Sequence, residues 1–278
     1  MSVQVPKGYK LTEVGVIPED WECLGLGEVL KSTQLGGNYK NTLNPTNFPL
    51  IKMGNLGRGF INLEKIEYIP VNESPKDSDK LKFGDVLFNT RNTPELVGKV
   101  AIWRGELPFA YFNSNLMRLN FDDKKVSSKF FMNIVLNTTQ VIEKLKGIAT
   151  GTTSVAAIYN RDLIKVAIPL PSIKEQQAIS ETLSDADALI ESLEQLIAKK
   201  RQIKQGAMQE LLTGQRRLPG FSGEWASVAL REVGKCLRGV SYKGSSDLFD
   251  HDNDQSKRLL RSNNVQSSSI DETGRIQM

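Results

Sequence analysis

The chain has 278 residues, a net charge of +4, two cysteines and one histidine. This length allows two domains, and two cysteines (Cys23 and Cys236) are too few for a disulfide framework or a metal cluster, which favours a reducing cytoplasm. The sequence has no run of 18 apolar residues, and its start, MSVQVPKGYK, has no apolar core, so we expect neither a membrane span nor a secretory signal. The small positive charge suits a polyanionic partner only if the basic side chains share one face.

Residues 1–170 predict a domain of mixed α/β (α+β) structure. Short β-type runs (FPLIKMGNL, LKFGDVLFNT, GKVAIW, NLMRLNF and LIKVAIPL) are separated by Gly, Asn and Pro. The segment SSKFFMNIVLNTTQVIEKLKG is predicted to be helical, because its apolar residues recur roughly on one face and Gly147 follows as a terminator.

Residues 171–214 predict one uninterrupted helix, roughly 60 Å long. Ser172 and Glu175 have the spacing of a capping box, and Gly214 follows the last apolar residue as a stop. Apolar residues spaced alternately by four and three form a heptad seam, at Ile179, Leu183, Ala186, Ile190, Leu193 and Ile197. A helix longer than a domain is wide cannot bury such a seam against its own domain, so we expect it to pair with another helix.

The chain after residue 214 repeats the start of the first region. WECLGLGEV (21–29) matches WASVALREV (225–233), and LIKMGNL (50–56) matches LLRSNNV (259–265) in the same order. The repeat predicts one unit of domain plus helix, then about sixty residues of a second unit, which should begin with a strand pattern over 222–235.

Motifs of catalysis are absent from the sequence. There is no phosphate-binding Gly-Lys-Ser/Thr loop, no dinucleotide-binding glycine pattern, no nucleophile elbow and no Cys/His metal spacing. His251 lies in a polar run, where a surface residue is expected rather than a catalytic base. Catalysis by this chain is therefore not predicted.

Polar loops flank several of the predicted strands. Arg91-Asn92-Thr93 follows DVLFNT, Asn113-Ser114-Asn115 precedes LMRLNF, and TGTTS at 150–154 precedes the last strand of the first region. Arg and Asn can bond base edges bidentately, and small hydroxyl residues reach phosphates. Each loop taken singly also fits ordinary turn chemistry.

Together these features resemble the specificity (S) subunit of type I restriction–modification systems. The stretch IPLPSIKEQQAISETLSDADALIESLEQLIAKKRQIKQGAMQELLTGQRRLPGF (168–221) is similar to the central conserved region of that family. PEDW followed by LGEV, FGDVLFNTR and VGKVAIW resemble its target-recognition domain. The resemblance implies three parts: a target-recognition domain over 1–170, a spacer helix over 171–214, and an incomplete start of a second recognition domain over 215–278.

The resemblance also implies a function and a set of partners. In this family each recognition domain reads one half of a split site in double-stranded DNA, and the helices pack antiparallel as a spacer. Methyltransferase subunits use S-adenosylmethionine, and an ATP-driven restriction subunit joins through them. We therefore expect a non-catalytic chain without cofactor or metal of its own, in the cytoplasm of a bacterium or archaeon and not in a membrane.

These expectations select two sets of residues. The predicted DNA-binding residues are Lys52, Asn55, Arg58, Arg91, Asn92, Thr93, Asn113, Asn115, Thr152 and Thr153. The predicted helix-pairing residues are the six of the heptad seam, which two copies of the chain would use to form an antiparallel dimer. An alternative stays open, in which truncation has removed specific DNA recognition and left a coiled-coil protein that binds methyltransferase subunits.

Overall fold

The computed structural model describes residues 5–152, 154–243, 247–248, 258–265 and 276–277. The chain divides into two compact units, Met1–Lys200 and Arg201–Met278. The mixed α/β fold class predicted from the sequence is confirmed in the first unit, and a helix of 40 residues begins within it.

Short strands and helices alternate along the first unit. Its strands are β1 (Tyr9–Thr12), β2 (Gly15–Pro18), β3 (Glu22–Gly25), β4 (Leu30–Leu35), β5 (Pro49–Ile51), β6 (Glu67–Tyr68), β7 (Val86–Asn89), β8 (Arg91–Asn92), β9 (Val100–Ile102), β10 (Tyr111–Phe112), β11 (Leu116–Phe121), β12 (Thr150–Gly151), β13 (Ala156–Ala157) and β14 (Ala167–Leu170). Its helices are α1 (Leu26–Val29), α2 (Lys129–Leu136), α3 (Thr139–Gly147), α4 (Asn160–Leu163) and α5 (Ile173–Leu212), the last of which continues into the second unit. Single 3-10 turns lie at Met53–Asn55 and Asp77–Asp79.

A four-stranded antiparallel sheet forms the centre of the first unit, in the order β4-β11-β7-β9. Along β7, side chains alternate between two buried clusters: Val86 and Phe88 join the larger one, and Leu87 joins the other. Because successive side chains of a strand point to opposite faces, an unbroken apolar run is expected where both faces are covered. The inner strands of the sheet are therefore buried on both sides, whereas the edge strand β4 keeps exposed residues.

The predicted helix between residues 127 and 147 is two short helices, α2 and α3. Asn137 lies at the break, where its side-chain amide donates to the carbonyl oxygens of Val100 (3.1 Å) and Asn133 (2.8 Å). Thr138 donates its hydroxyl to the carbonyl oxygen of Val135. Asn and Thr compete for backbone groups in this way, which explains why the helix ends there although the apolar spacing continues.

The long helix is confirmed as one continuous α5 of 40 residues. Its first turn is capped by Ser172, whose hydroxyl accepts from the Glu175 amide at 3.3 Å, and its end is marked by Gly214 at φ 76°. The Glu175 carboxylate does not complete the capping box, because it accepts a hydrogen bond from the Trp21 indole at 3.1 Å.

The root of α5 is fixed to the domain by the buried amide of Gln176. Its Nε2 donates to the carbonyl oxygens of Lys125 (2.9 Å) and Pro171 (3.0 Å), and its Oε1 accepts from the Ser127 amide at 3.1 Å. One turn later, the buried Ser180 hydroxyl donates to Ser128 Oγ at 2.7 Å. The helix therefore leaves the domain in a defined orientation.

Two features of the sequence repeat recur as structure in the second unit. Its elements are α6 (Leu230–Val233), β15 (Arg258–Leu259), a 3-10 turn at Ser262–Asn264, and β16 (Ile276–Gln277). In α1 the Glu28 carboxylate accepts from the Gly25 amide, and in α6 the Glu232 carboxylate accepts from the Ala229 amide.

The second matching feature is a strand pair with its following turn. β15 pairs with β16 with the same antiparallel register as β5 with β6, 209 residues earlier in the chain. In both copies an Asn side chain accepts a 2.9 Å hydrogen bond from the backbone amide three residues before it: Asn55 from Lys52, and Asn264 from Arg261.

The prediction of a strand pattern over 222–235 is only partly met. β3 is a strand because it pairs with β14, which arrives from residues 167–170. Residues 224–229 of the second unit have no paired strand among the described residues, and they are irregular up to α6. A strand needs a hydrogen-bonded neighbour, whereas α6 is held by its own cap.

We expect Gln176→Ala to loosen the root of α5. The substitution leaves two buried carbonyl oxygens and one amide without partners, which costs about 3 kcal/mol or more. Hydrogen exchange measured by mass spectrometry on the full chain should show faster exchange in 173–182 and 124–131. The matched control is Gln177→Ala, since Gln177 is an exposed neighbour on the same helix. Equal exchange in the two variants would contradict the anchoring role.

Candidate nucleic-acid interface

One edge of the first unit collects loops that are distant in sequence. β5 and β10 are parallel, with Phe112 opposite Ile51, and the Asn113 amide donates to the Ile51 carbonyl oxygen at 3.1 Å. The carboxyl ends of parallel strands meet at the same edge. Lys52 and Asn113, which follow these two strands, therefore lie next to each other.

Thr90 joins two further loops to this edge. Its amide and its hydroxyl both donate to the Asn115 carbonyl oxygen, at 3.0 and 2.9 Å, and its own carbonyl oxygen accepts from the Ile158 amide at 2.9 Å. Directly after it, β8 pairs with β13, and β13 pairs with β12, so Arg91 lies opposite Ala157. The loops at 91–93, 113–115 and 150–157 are thus brought together.

A groove of about 540 Å³ lies between these loops and the end of β4. Its polar lining consists of Thr33, Thr90, Arg91, Ser114, Asn115 and Asn160. Its apolar lining consists of Leu35, Met117, Ala157 and Ile158, with Tyr159 at the side. Arg91 is the one charged residue among the described residues of the lining and is exposed, so the groove presents a cation among hydroxyl and amide groups.

Gly36 lets the end of β4 approach the 113–115 loop. The Gly36 amide donates to the Leu116 carbonyl oxygen, and the Gly37 amide donates to that of Phe112, both at 3.1 Å. A Cβ atom on Gly36 would collide with the carbonyl oxygens of Phe112 and Asn113. Only glycine permits backbones to come this close.

The segment from Gln34 to Tyr39 is also fixed by the buried carboxylate of Asp79. This carboxylate accepts from the Tyr39 hydroxyl at 2.6 Å and from Gln34 Nε2 at 3.0 Å. Burial and the hydrogen bond to Asp79 raise the pKa of Tyr39 to about 12, so the phenol stays a donor. The backbone is therefore fixed at Gln34, immediately before Leu35, the last residue of β4.

Arg118 supports the groove from inside the sheet. Its Nε lies 2.9 Å from Asp85 Oδ2, and its Nη atoms donate to the carbonyl oxygens of Ser78 and Lys80. The guanidinium also lies 4.8 Å from the centre of the Phe112 ring. This arginine is nearly buried and serves the fold, in contrast to Arg91.

Of the residues predicted near the turn at 53–55, Lys52 and Asn55 take part in internal contacts. Lys52 Nζ lies 2.8 Å from Glu67 Oε2. Asn55 is 5% exposed, and besides accepting from Lys52 it donates to the carbonyl oxygens of Asn62 and Lys65. The hydrogen-bonding groups of the Asn55 side chain are therefore occupied within the fold. The prediction that Asn55 faces DNA is corrected, because the side chain is buried.

Arg58 is different. It lies at the tip of the turn closed by Gly57 and Phe60, half-buried, and it has no ion pair or hydrogen bond with the described residues. Burial lowers the pKa of its guanidinium. A half-desolvated cation without an acidic neighbour gains from an external anion.

The residues predicted at 91–93 lie beside the groove. Arg91 is exposed, and its side chain makes no hydrogen bond or ion pair with the described residues. Asn92 Oδ1 accepts from the Thr93 amide at 2.9 Å, and both residues are half-buried. Arg91 is the member of this loop that is free to reach a ligand.

Of the remaining predicted residues, Asn115 lines the groove and Asn113 is half-buried beside it. Asn113 Oδ1 is shielded from solvent and has no hydrogen-bond donor among the described residues. Thr152 is exposed at the β12–β13 turn, where its hydroxyl lies 3.3 Å from Ser154 Oγ. Thr153 lies outside the described residues.

The sequence did not point to Thr33, Leu35, Tyr159 or Asn160 as groove residues. The end of β4 and residues 159–160 are far apart in the sequence. They come together through the pairing of β4 with β11, the hydrogen bonds of Thr90 and the pairing of β8 with β13. Ser114 lies inside a predicted loop, and its position between two asparagines was the available signal.

The seam of α5 is exposed beyond its first turns. Ile179 packs against the larger cluster, but Leu183, Ile190, Leu193 and Ile197 are 41–55% exposed. At about 100° per residue, the centre of these four side chains lies roughly 75° around the helix from the centre of Gln176, Ser180 and Asp187, which face the domain. The exposed neighbours Leu189 and Leu196 lie still further around.

Within the described part of the chain, no group of His, Cys, Asp and Glu could hold a metal ion. No helix among those residues is long and apolar enough to cross a membrane.

Comparison with known proteins agrees with the resemblance. The sequence model of the type I restriction modification DNA specificity domain matches residues 18–203. Two type I restriction enzyme specificity subunits of Methanocaldococcus jannaschii, MjaX and MjaVIII, are each 30% identical, over 74% and 78% of this chain and 49% and 51% of their own length. The crystal structure of the S subunit from M. genitalium is 19% identical over 68% of this chain and 45% of that one, with a TM-score of 0.47.

The matched segment contains the groove, its supporting sheet and the first thirty residues of α5. The chain spans about half the length of the curated relatives it matches. On the extent of the family match, this chain belongs to the type I restriction modification DNA specificity domain family.

Proposed function

We propose that this chain is a DNA-recognition component of a type I restriction–modification complex and reads one half of a bipartite site in double-stranded DNA. The observation that carries the proposal is the groove, where loops from three parts of a specificity domain converge around the exposed Arg91. DNA phosphates favour such a cationic surface, and base edges are read by arginine and asparagine side chains.

The surroundings of each residue suggest its role. Arg91 and Asn115 would read base edges, because both lie in the groove and the Arg91 guanidinium is free of internal ion pairs in the described chain. Arg58 would bind a phosphate, because an anion would compensate for the partial burial of its guanidinium. Lys52 would have to share its charge with Glu67, so its contribution should be smaller.

We further propose that the chain docks methyltransferase subunits along the part of α5 that lies outside the heptad seam. In this proposal, S-adenosylmethionine and ATP are bound by those subunits and by the restriction subunit that they recruit. This chain supplies neither catalysis nor a cofactor site, and it acts in the cytoplasm, where its DNA target lies.

The seam of α5 also supports pairing with a second helix, and we propose that two copies pair antiparallel. The first half of the seam region is acidic, from Glu181 to Glu194, and the part from Lys199 to Lys204 is basic. Antiparallel pairing brings the acidic part of one copy against the basic part of the other. Such a dimer would present two identical recognition domains, so its target would be a palindrome with a fixed spacer.

The alternative, a methyltransferase-binding protein without specific DNA recognition, is favoured by one observation: the exposed apolar face of α5 could serve partner binding alone. The two proposals differ in DNA binding. Specific recognition requires one duplex to bind far more tightly than others of equal length at the same salt concentration.

We expect Arg91→Ala to weaken binding to the specific duplex by about 1–3 kcal/mol and to relax the sequence preference at one position. Arg91→Lys should recover part of the affinity but not the preference, because lysine keeps the charge and loses the bidentate fork. Fluorescence anisotropy at fixed salt, on a duplex selected from a randomised pool, measures both effects.

The control for this pair is Lys124→Ala. Lys124 is exposed and lies beyond Phe121, at the opposite end of β11 from the groove. Its loss should change affinity only through net charge. If the Arg91 and Lys124 variants behaved alike, Arg91 would have no special role in recognition.

For helix pairing, we expect the wild-type chain to be dimeric in light scattering at tens of micromolar and Leu193→Lys to shift it towards the monomer. A lysine at a seam position places a charge in the apolar interface. Gln195→Lys is the control, because Gln195 lies on the opposite side of the helix and is exposed. A monomeric wild-type chain would refute the dimer.

A further inference from the structure

Two large apolar side chains project into the groove although its surroundings are polar. Leu35 is 55% exposed and Tyr159 is 51% exposed. The other large apolar residues of the lining, Met117 and Ile158, are 3% and 2% exposed and form its floor. Leu35 and Tyr159 are therefore available to a ligand, whereas the floor belongs to the core.

The fold holds both side chains in place without burying them. Leu35 is the last residue of β4 and lies opposite Met117 in the β4–β11 pairing, just before the close contact at Gly36. Tyr159 follows Ile158, whose amide is bonded to Thr90, and precedes α4. Their backbones are fixed on two different elements, and both side chains line the same groove.

Exposed apolar walls beside a cation and an amide match the chemistry of one base pair. In the major groove, thymine is the base that presents a methyl group, and adenine accepts and donates to an asparagine amide. Arg91 gives the groove its positive charge, and within the described part of the chain no acidic residue lines it. The combination suits double-stranded DNA with an A·T pair at this point.

We propose that Leu35 and Tyr159 are specificity-determining residues that contact the methyl group of a thymine in the recognised half-site, with Asn115 beside them for adenine. The proposal rests on the proposed DNA recognition and adds the base type and the residues that read it. It requires an A·T or T·A pair at the position covered by the groove.

Replacement of thymine by deoxyuridine tests the contact, because it removes only the 5-methyl group. The probe is the duplex selected by the full-length wild-type chain from a randomised pool, resynthesised with deoxyuridine at each thymine in turn. One substitution should lower the affinity of the wild-type chain about fourfold, as expected for the burial of one methyl group. The other substitutions should have little effect.

The variants Leu35→Ala, Leu35→Asn and Tyr159→Ala locate the contact. In each of them, the ratio of the affinities for the thymine and deoxyuridine duplexes should fall towards one at that position. Leu35→Asn keeps the branching and the number of heavy atoms of the side chain and removes its apolar surface. The control is Phe83→Ala, since Phe83 is 68% exposed but precedes β7, at the opposite end of that strand from the groove, and it should leave the ratio unchanged.

The results of these experiments distinguish failure of the thymine contact from failure of the proposed DNA recognition. If no duplex is selected above the others, the proposed DNA recognition fails and the inference fails with it. If a duplex is selected but deoxyuridine has no effect at any position, or if the effect survives in all three variants, only the inference is overturned. A loss of affinity in Tyr159→Ala that is equal for both duplexes, together with reduced DNA bending, would identify Tyr159 as a wedge between base steps and would also overturn it.

Discussion

The buried amide of Gln176 is the contact on which the geometry of the first unit depends. It ties the first turn of α5 to residues 125–127, while Ser180 and Asp187 continue the same contact line. Because each residue turns a helix by about 100°, fixing Gln176 also fixes the direction in which Ile190 and Leu193 point. One anchoring side chain thus sets the rotation of the exposed helix face with respect to the groove.

The central sheet explains why the candidate site lies at strand ends. Both faces of the inner strands are covered by apolar clusters, so ligand-binding side chains are confined to the strand ends and to the edge strand β4, where Thr33 and Leu35 line the groove. The parallel pair β5–β10 and the hydrogen bonds of Thr90 direct four chain segments to one edge. The polar groups that hold these segments, Arg118 and Asp79, are buried and occupied, which leaves the exposed Arg91 for a ligand.

The sequence predicted the periodic helix well and the contacts between distant segments poorly. The heptad spacing, Ser172 and Gly214 defined α5 because they act along one helix. The two-residue strands β8 and β13 are too short to show a period, so the meeting of Arg91 with residues 157–160 could not be foreseen. Leu35 was missed for the same reason, since its exposure depends on the glycine contact at Gly36 and on the β11 register.

The internal repeat distinguishes residues of the fold from residues of the site. Asn55 and Asn264 recur because each accepts the same 2.9 Å hydrogen bond within its own turn, so their repetition reflects folding and not DNA contact. By contrast, the ion pair between Lys52 and Glu67 is not repeated. The position in the second unit that matches Glu67 is occupied by Ile276. Residues that a duplicated domain keeps in common are therefore first candidates for structure. Residues such as Arg58, which has Ser267 at the corresponding place in the sequence, are the first candidates for recognition that differs between the two units.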